Sequence, residues 1–254
     1  MAQYELLTVG NPKTAKGKEL GYAVAVLHLA PSNLSGHNVC PMASAGCIAG
    51  CLNTAGRGGI MRAGETTNAI QKARVRRTQW LYDSRAHFLA TLQRDVERFV
   101  DWCEDNGFKP VLRLNGTSDL DWDGMAPELM AYFKALGVIR YDYTKVATRM
   151  KRQGDHYSLV FSLAENNADN AFRWAMHGGN VAVVFRTANL PKEYCLSVPG
   201  LGAVTLPVVD GDKNDLRFLD PRGVIVGLKA KGKAKKDTSG FVRETEDTRL
   251  LTHA

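Results

Sequence analysis

At 254 residues and 44% hydrophobic, the chain is long enough to bury a full-sized core, as one large domain or two small ones. No apolar run approaches a membrane span, and Met1-Ala-Gln-Tyr-Glu5 leads into a Lys-rich turn instead of a secretory pattern, so a soluble, cytoplasmic protein is expected. The formal charge of +7 permits contact with nucleic acid or phosphorylated metabolites without requiring it.

In chain order, Leu6–Gly10 is expected as a short strand and residues 11–18 as a turn. Tyr22–Leu29 is apolar almost throughout, as for a strand covered on both faces. Ala30–Gly36 ends that strand and leads into a cysteine-rich loop over residues 36–59. The glycine-rich part of the loop, residues 52–59, lacks the Lys-Ser/Thr ending of a P-loop, so it does not mark a nucleotide site. Residues 66–105 read as two helices broken near Tyr82–Ser84, with Asn106-Gly107 as the cap. Within them Phe88, Leu92, Val96, Phe99 and Cys103 recur at helical spacing, which makes Cys103 a buried, inert thiol.

Strands are then expected over 111–114, 138–144, 156–163 and 181–186, with helices over 128–136 and 168–176 between them. Residues 145–155 form a basic linker without clear pattern, and strands follow at 200–209 and 223–228. The segment 229–240, rich in Lys, Gly and Ala, reads as a flexible basic loop, either solubilising or a phosphate-binding lid. The other basic run, Lys72–Arg77, reads as the solvated face of a helix. This alternation predicts one α/β domain over residues 1–254, a (β/α) barrel or partial barrel, with an open doubly wound sheet as the alternative.

Cys40, Cys47 and Cys51 stand directly after the first strong strand. Small residues fill the gaps between them, so the backbone can fold tightly and aim three sulfurs at one centre. An odd count of cysteines clustered in one loop is not a secreted disulfide framework. Thiolates suit zinc and iron–sulfur clusters. Zinc sites usually carry a tight Cys pair with a second pair downstream. Here six and then three residues intervene and no second pair follows, which favours an iron–sulfur cluster, 4Fe–4S above all. Cys195, after the 181–186 strand, is the candidate fourth ligand, and His37 is an alternative. If Cys195 does not reach the site, one iron is left open to a small-molecule ligand or cofactor.

In barrels the strand ends carry the chemistry. Arg113, Asn115, Ser118, Asp119, Asp121, Asp123, Asp142, Lys145, Glu165, Asn166, Arg186 and Asn189 all lie in or after strands. His28, near the end of the first long strand, is placed to hydrogen-bond a cluster sulfur or a substrate. Glu165 would hold a cationic group in a pocket, or flank a helix start. Asp123 is an N-cap candidate.

The combination of Asn38-Val-Cys40-Pro, Gly46-Cys47, Cys51-Leu-Asn-Thr-Ala-Gly-Arg57 and Leu114-Asn-Gly-Thr-Ser-Asp119 resembles a family of bacteriophage gene products, over most of the chain. That resemblance implies phage origin and expression in the host cytoplasm, and supplies no assigned reaction. A looser likeness is to radical S-adenosylmethionine enzymes, which place three cysteines after the first barrel strand. By that likeness Cys40, Cys47 and Cys51 ligate the cluster, while Asn115, Ser118, Asp119 and Glu165 contact the nucleoside cofactor. The gaps between cysteines are three and two residues there but six and three here, so the likeness bears on architecture more than on cofactor use.

Three functions compete. The first is an iron–sulfur protein acting as a redox or radical-type enzyme on a small-molecule ligand or with an electron donor. The second is a non-catalytic, metal-stabilised factor that binds nucleic acid or a host protein. A zinc-dependent hydrolase or nuclease ranks last, because a histidine-rich ligand set is missing.

Overall fold

The apolar run after Gly21 forms strand β2 (Tyr22–Leu27), buried from Ala23 onward. In the computed structural model, which describes residues 4–10 and 15–245, this strand is covered on both faces, and the rest of the chain is laid down beside it. Strand β1 (Leu7–Val9) pairs antiparallel to it on the outer side. The three backbone N–H groups of Glu5, Leu6 and Leu7 all donate to the carboxylate of Asp95, at 3.3, 2.7 and 3.2 Å, which pins this edge to the helix layer.

On the other side the parallel strands follow in chain order: β3 (Lys109–Arg113), β4 (Ile139–Thr144), β5 (Tyr157–Ser162) and β6 (Val181–Phe185). The order then jumps to β9 (Ile225–Lys229) and back through β8 (Gly202–Asp210) to β7 (Glu193–Val198), giving a 10-stranded, mostly parallel sheet among the described residues. The sheet is open. Closing it into a barrel would require its two edges to pair. Those edges are the short antiparallel strand β1 and the antiparallel hairpin strand β7, and no pairing among the described residues joins them.

Strand β10 (Val242–Arg243) occupies a cleft within the sheet. β5 and β6 pair only at Phe161–Val181 and Ser162–Ala182. Beyond that point β6 pairs with β10 instead, Val242 opposite Val184 and Arg243 opposite Phe185. The sheet therefore splits at the C-terminal ends of β5 and β6 and admits the end of the described chain.

Helix α1 (Ala45–Ala49) belongs to the cysteine segment. Helices α2 (Ala69–Asp83) and α3 (Arg85–Asp105) are separated at Ser84, where the sequence places the break. The buried stripe of α3 runs through Phe88, Leu92, Val96, Phe99 and Cys103 and packs on Ala23, Ala25, Leu27 and Leu112 of the sheet, so Cys103 is core, as its spacing predicts. Helix α4 (Trp122–Met125) and helix α5 (Pro127–Ala135) complete that layer, and α6 (Ala168–Met176) covers the second half of the sheet through Ala171, Phe172 and Ala175. On the opposite face Val24, Val26, Val111 and Tyr141 pack against Leu216 and Phe218, from the segment between β8 and β9.

Three local expectations are corrected. Residues 193–198 form β7, a strand the sequence reading passes over, and Cys195 lies inside it. The linker after β4 is a 3-10 turn over Ala147–Arg152 whose Arg149 is fully buried. Asp121, not Asp123, is the N-cap of α4, accepting from the Gly124 N–H at 3.2 Å, while Asp123 is gripped by both terminal nitrogens of Arg140 at 2.9 and 2.7 Å.

Candidate functional site

The C-terminal ends of β2 to β6 and of β9 surround a cavity of about 220 Å³, and Cys40, Cys47 and Cys51 all line it. This is the rim at which parallel α/β sheets place ligands. The three sulfurs thus share one cavity. No group of three His, Cys, Asp or Glu side chains among the described residues is close enough to hold a single metal ion.

Local chemistry explains how the cysteine segment is shaped. Ser44 caps α1 by accepting from the Cys47 N–H at 3.2 Å, and its own hydroxyl donates to Glu165 Oε2 at 2.5 Å. The Gly46 N–H donates to Glu165 Oε1 at 2.7 Å. Glu165 thus takes two donors of the cysteine helix from across the cavity rim, the role of an acidic group at a helix N-terminus. Each of its oxygens takes one donor from the cysteine helix. Partial burial pushes the Glu165 carboxyl up, but the hydrogen bonds from Ser44 and Gly46 outweigh it and hold the group below its ordinary range. A carboxyl depressed in the folded state contributes stability above its ordinary pKa of about 4.3, lost as pH falls through the lower folded value. Glu165→Gln is expected to remove this acid-side loss, measured as the pH dependence of the thermal midpoint below pH 5 in both proteins; parallel curves would refute the role.

Gly46 sits where no side chain fits. A Cβ there would lie 2.6 Å from Phe241 Cβ and 3.0 Å from Glu165 Oε1, and would overlap Ser239 Oγ. Gly46→Ala is expected to force α1 away from Phe241 and cost roughly 1–3 kcal/mol, the usual range for overpacking. Chemical denaturation checks this, and an unchanged midpoint would show that the contact yields freely.

The Leu114–Asp119 segment forms a cavity wall, and its polar side chains are committed inward. The Asn115 amide donates to Leu120 O and Asp142 Oδ2, both at 3.1 Å, and its carbonyl accepts from Ser118 Oγ and the Leu120 N–H, both at 2.9 Å. Asp119 accepts from Arg149 and from the Lys145 N–H at 2.8 Å, while its own N–H donates to Val39 O at 2.8 Å. These three residues line the cavity, and their side chains are tied into its wall by these bonds. Gly116 passes so close to β2 that a Cβ would lie 2.7 Å from Val26 Cγ1 and 2.8 Å from His28 Cδ2. Thr117 holds the strand end by donating to Leu29 O at 2.6 Å, and its carbonyl lies 3.8 Å from Cys40 Sγ, which can donate to it.

His28 packs behind this wall and does not line the cavity. Burial, then the charges of Arg74, Arg113 and Arg77, push its imidazole down to about 3, so it is neutral at physiological pH. Cys195 is also elsewhere. It stands opposite Thr205 in the β7–β8 hairpin, half-buried, between Tyr194 and Leu196, which turn to the core. The strand alternation that buries those neighbours turns Cys195 to the other face. His37 stacks on Tyr82 of α2, with ring centroids 4.0 Å apart, which docks the start of the loop.

Several residues at the site escape a reading by motif. Arg74, in the run read as solvated, donates to Asn53 Oδ1 at 2.6 Å, and its positive charge works against the upward shift that burial imposes on the Cys51 thiol. Burial likewise pushes Cys40 up, to about 11. The 229–240 segment carries a 3-10 turn over Gly232–Lys236 with Ala234 buried, and a Cβ on Gly50 would lie 3.1 Å from that of Ala234. Ser44 was the legible signal here: a serine three residues before Cys47 is an N-cap pattern.

Among the described residues no helix is long and apolar enough to cross a membrane. No curated protein and no solved structure matches the chain. A family model described as Gene product 88 matches residues 5–245, nearly the whole of the described chain, and with the cysteine segment and the Leu114–Asp119 wall both inside that span the chain belongs to the Gene product 88 family.

Proposed function

We propose that this protein binds an iron–sulfur cluster through Cys40, Cys47 and Cys51 and is a redox or radical-type enzyme of phage origin working in the host cytoplasm. The observation that carries the reading is three thiols from one short segment facing one cavity at the C-terminal rim of a parallel sheet. Against zinc stands the spacing, since a zinc site usually carries a tight cysteine pair with a second pair downstream and here six and then three residues intervene. A multi-iron cluster spreads its ligands over several metals and tolerates the irregular spacing. With Cys195 in the β7–β8 hairpin, the chain offers three cysteines, leaving room for a small molecule, S-adenosylmethionine among the candidates.

Such a cluster, when bound, supplies one-electron transfer or a Lewis-acidic metal position. The chain's own residues do the rest. Glu165 and Ser44 orient α1, the Asn115–Asp119 wall closes one side, and Phe241 closes another. The thiols of Cys40 and Cys51, raised by burial, are protonated at neutral pH, so loading must displace their protons.

A second reading rests on a different observation. Met42, Ile48 and Leu52 on the cysteine segment, and Leu34 and Ile60 flanking it, are exposed. Such a face suits a protein contact, either an electron donor or, in a non-catalytic factor, a host protein.

Anaerobic purification with iron, zinc and acid-labile sulfide analysis, and electron paramagnetic resonance before and after dithionite, tests the lead reading. About four irons and four sulfides per chain are expected. Stoichiometric zinc without sulfide would overturn it. A spectral change on adding S-adenosylmethionine would identify that cofactor.

A further inference from the structure

The cavity beside the cysteines is lined by four cationic side chains, Arg113, Lys145, Lys229 and Lys231, and two carboxylates, Asp119 and Asp212, of which Asp119 is paired with Arg149 outside the lining. Lys145 enters from the end of β4 and Lys229 from the end of β9, with Lys231 just beyond and Arg113 on the same lining. Arg113 is 3.8 Å from Asp215, and Lys231 donates to Asp212 at 2.6 Å. Asp212 also accepts from the backbone N–H of Lys229 at 3.0 Å. The Lys145 ammonium donates to Ser162 Oγ at 3.1 Å and lies 5.5 Å from the centre of the Phe241 ring, and no ion pair to it occurs among the described residues. For the Lys229 ammonium no carboxylate contact occurs among the described residues.

Polar groups in the same lining point the same way. Among the described residues the buried Tyr143 hydroxyl and Arg113 Nε have no hydrogen-bond partner. Native structures rarely leave buried donors unmatched, because desolvation is then uncompensated. Cations gathered at a partly enclosed site carry a similar penalty. One kind of ligand relieves both at once: an oxyanion, which accepts hydrogen bonds and brings negative charge.

We propose that this side of the cavity binds the acid group of a small molecule, a phosphate or a carboxylate, with Lys145 and Lys229 as charged contacts and the Tyr143 hydroxyl as a donor. The inference rests on the cavity that the cluster reading uses and names the substrate class for it. The lysines belong to strands other than the one preceding the cysteines, so the acid group and the thiols are held by independent parts of the fold.

Calorimetric titration of the anaerobically purified protein with inorganic phosphate and with malonate, at low ionic strength, tests this. Binding of at least one probe is expected, phosphate alone indicating a phosphate ester and malonate alone a carboxylate. Loss of a charge-assisted hydrogen bond weakens binding about tenfold or more, so K145Q and K229Q should each do so, and Y143F by a smaller factor. K235Q, in the same basic segment but outside the cavity lining, should bind like the wild type. Each variant's far-UV circular dichroism and unliganded thermal midpoint show whether it is folded. K145Q and K229Q are independent, so either can carry the test. Failure of both probes to bind, wild-type affinity in K145Q and K229Q, or equal weakening in K235Q would overturn the proposal. Iron content is measured on the same samples. A protein without iron that still binds phosphate in a Lys229-dependent way refutes the cluster and keeps the oxyanion site. An iron-loaded protein whose probe binding is unchanged in both K145Q and K229Q does the reverse.

Discussion

Cys40→Ala, Cys47→Ala and Cys51→Ala each abolish iron loading in the expected result, whereas Cys103→Ala and Cys195→Ala retain it. The distinction comes from position. The first three thiols line one cavity, Cys103 is sealed in the core against the sheet, and Cys195 lies in the β7–β8 hairpin. Three-cysteine ligation has no spare thiol, so each loss is complete rather than graded. Cys103→Ala removes one buried sulfur from a packed stripe, a cost on the order of 1 kcal/mol, and leaves the metal in place. Iron and sulfide per chain after anaerobic reconstitution are the readout. Iron lost from Cys195→Ala and kept in Cys47→Ala would show that the ligand set is wrong.

The largest effect on stability belongs to Arg149→Ala. The guanidinium is fully buried, donates to both Asp119 and the Tyr157 hydroxyl, and lies 3.7 Å from Asp142. Burial pushes the Asp142 carboxyl up, with Arg149 the first group opposing that shift. Burial also works against the charge on Arg149, but Tyr157, Asp142 and Asp119 more than compensate and raise its pKa. Removing the arginine strands two carboxylates in the interior, for which roughly 3–5 kcal/mol is the usual cost. Urea denaturation measures it; a loss under about 1 kcal/mol would mean that water or neighbouring donors replace the guanidinium. Because Asp119 also fixes the Lys145 backbone and reaches Val39 ahead of Cys40, the cavity wall should loosen with it.

The strand–helix alternation was legible because its physics is local. Residues 22–27 are apolar on both faces, the stripe Phe88 to Cys103 repeats at helical spacing, and Ser84 interrupts a helix where the pattern breaks. Strand β7 was hidden because Tyr194, Leu196 and Val198 alternate over only six residues, a short signal beside the continuously apolar β6 that precedes it. Arg149 was hidden for another reason. A basic residue in a run of basic residues looks solvated, and only partners far away in sequence, such as Asp119, make burial tolerable.

By itself, the sequence determined that three cysteines follow the first buried strand in a segment of small residues, and that parallel strands would bring polar strand ends to one rim. Those are consequences of chain order and side-chain chemistry. Only the tertiary structure decided that the sheet stays open, that β10 enters between β5 and β6, and that Cys195 lies apart from the other thiols. It also showed that Asn115, Ser118 and Asp119 hydrogen-bond within the cavity wall and that Glu165 accepts from the cysteine helix. The reason is that hydrogen-bond partners and strand-edge pairings are chosen between residues distant in sequence, where spacing along the chain carries no record of the choice.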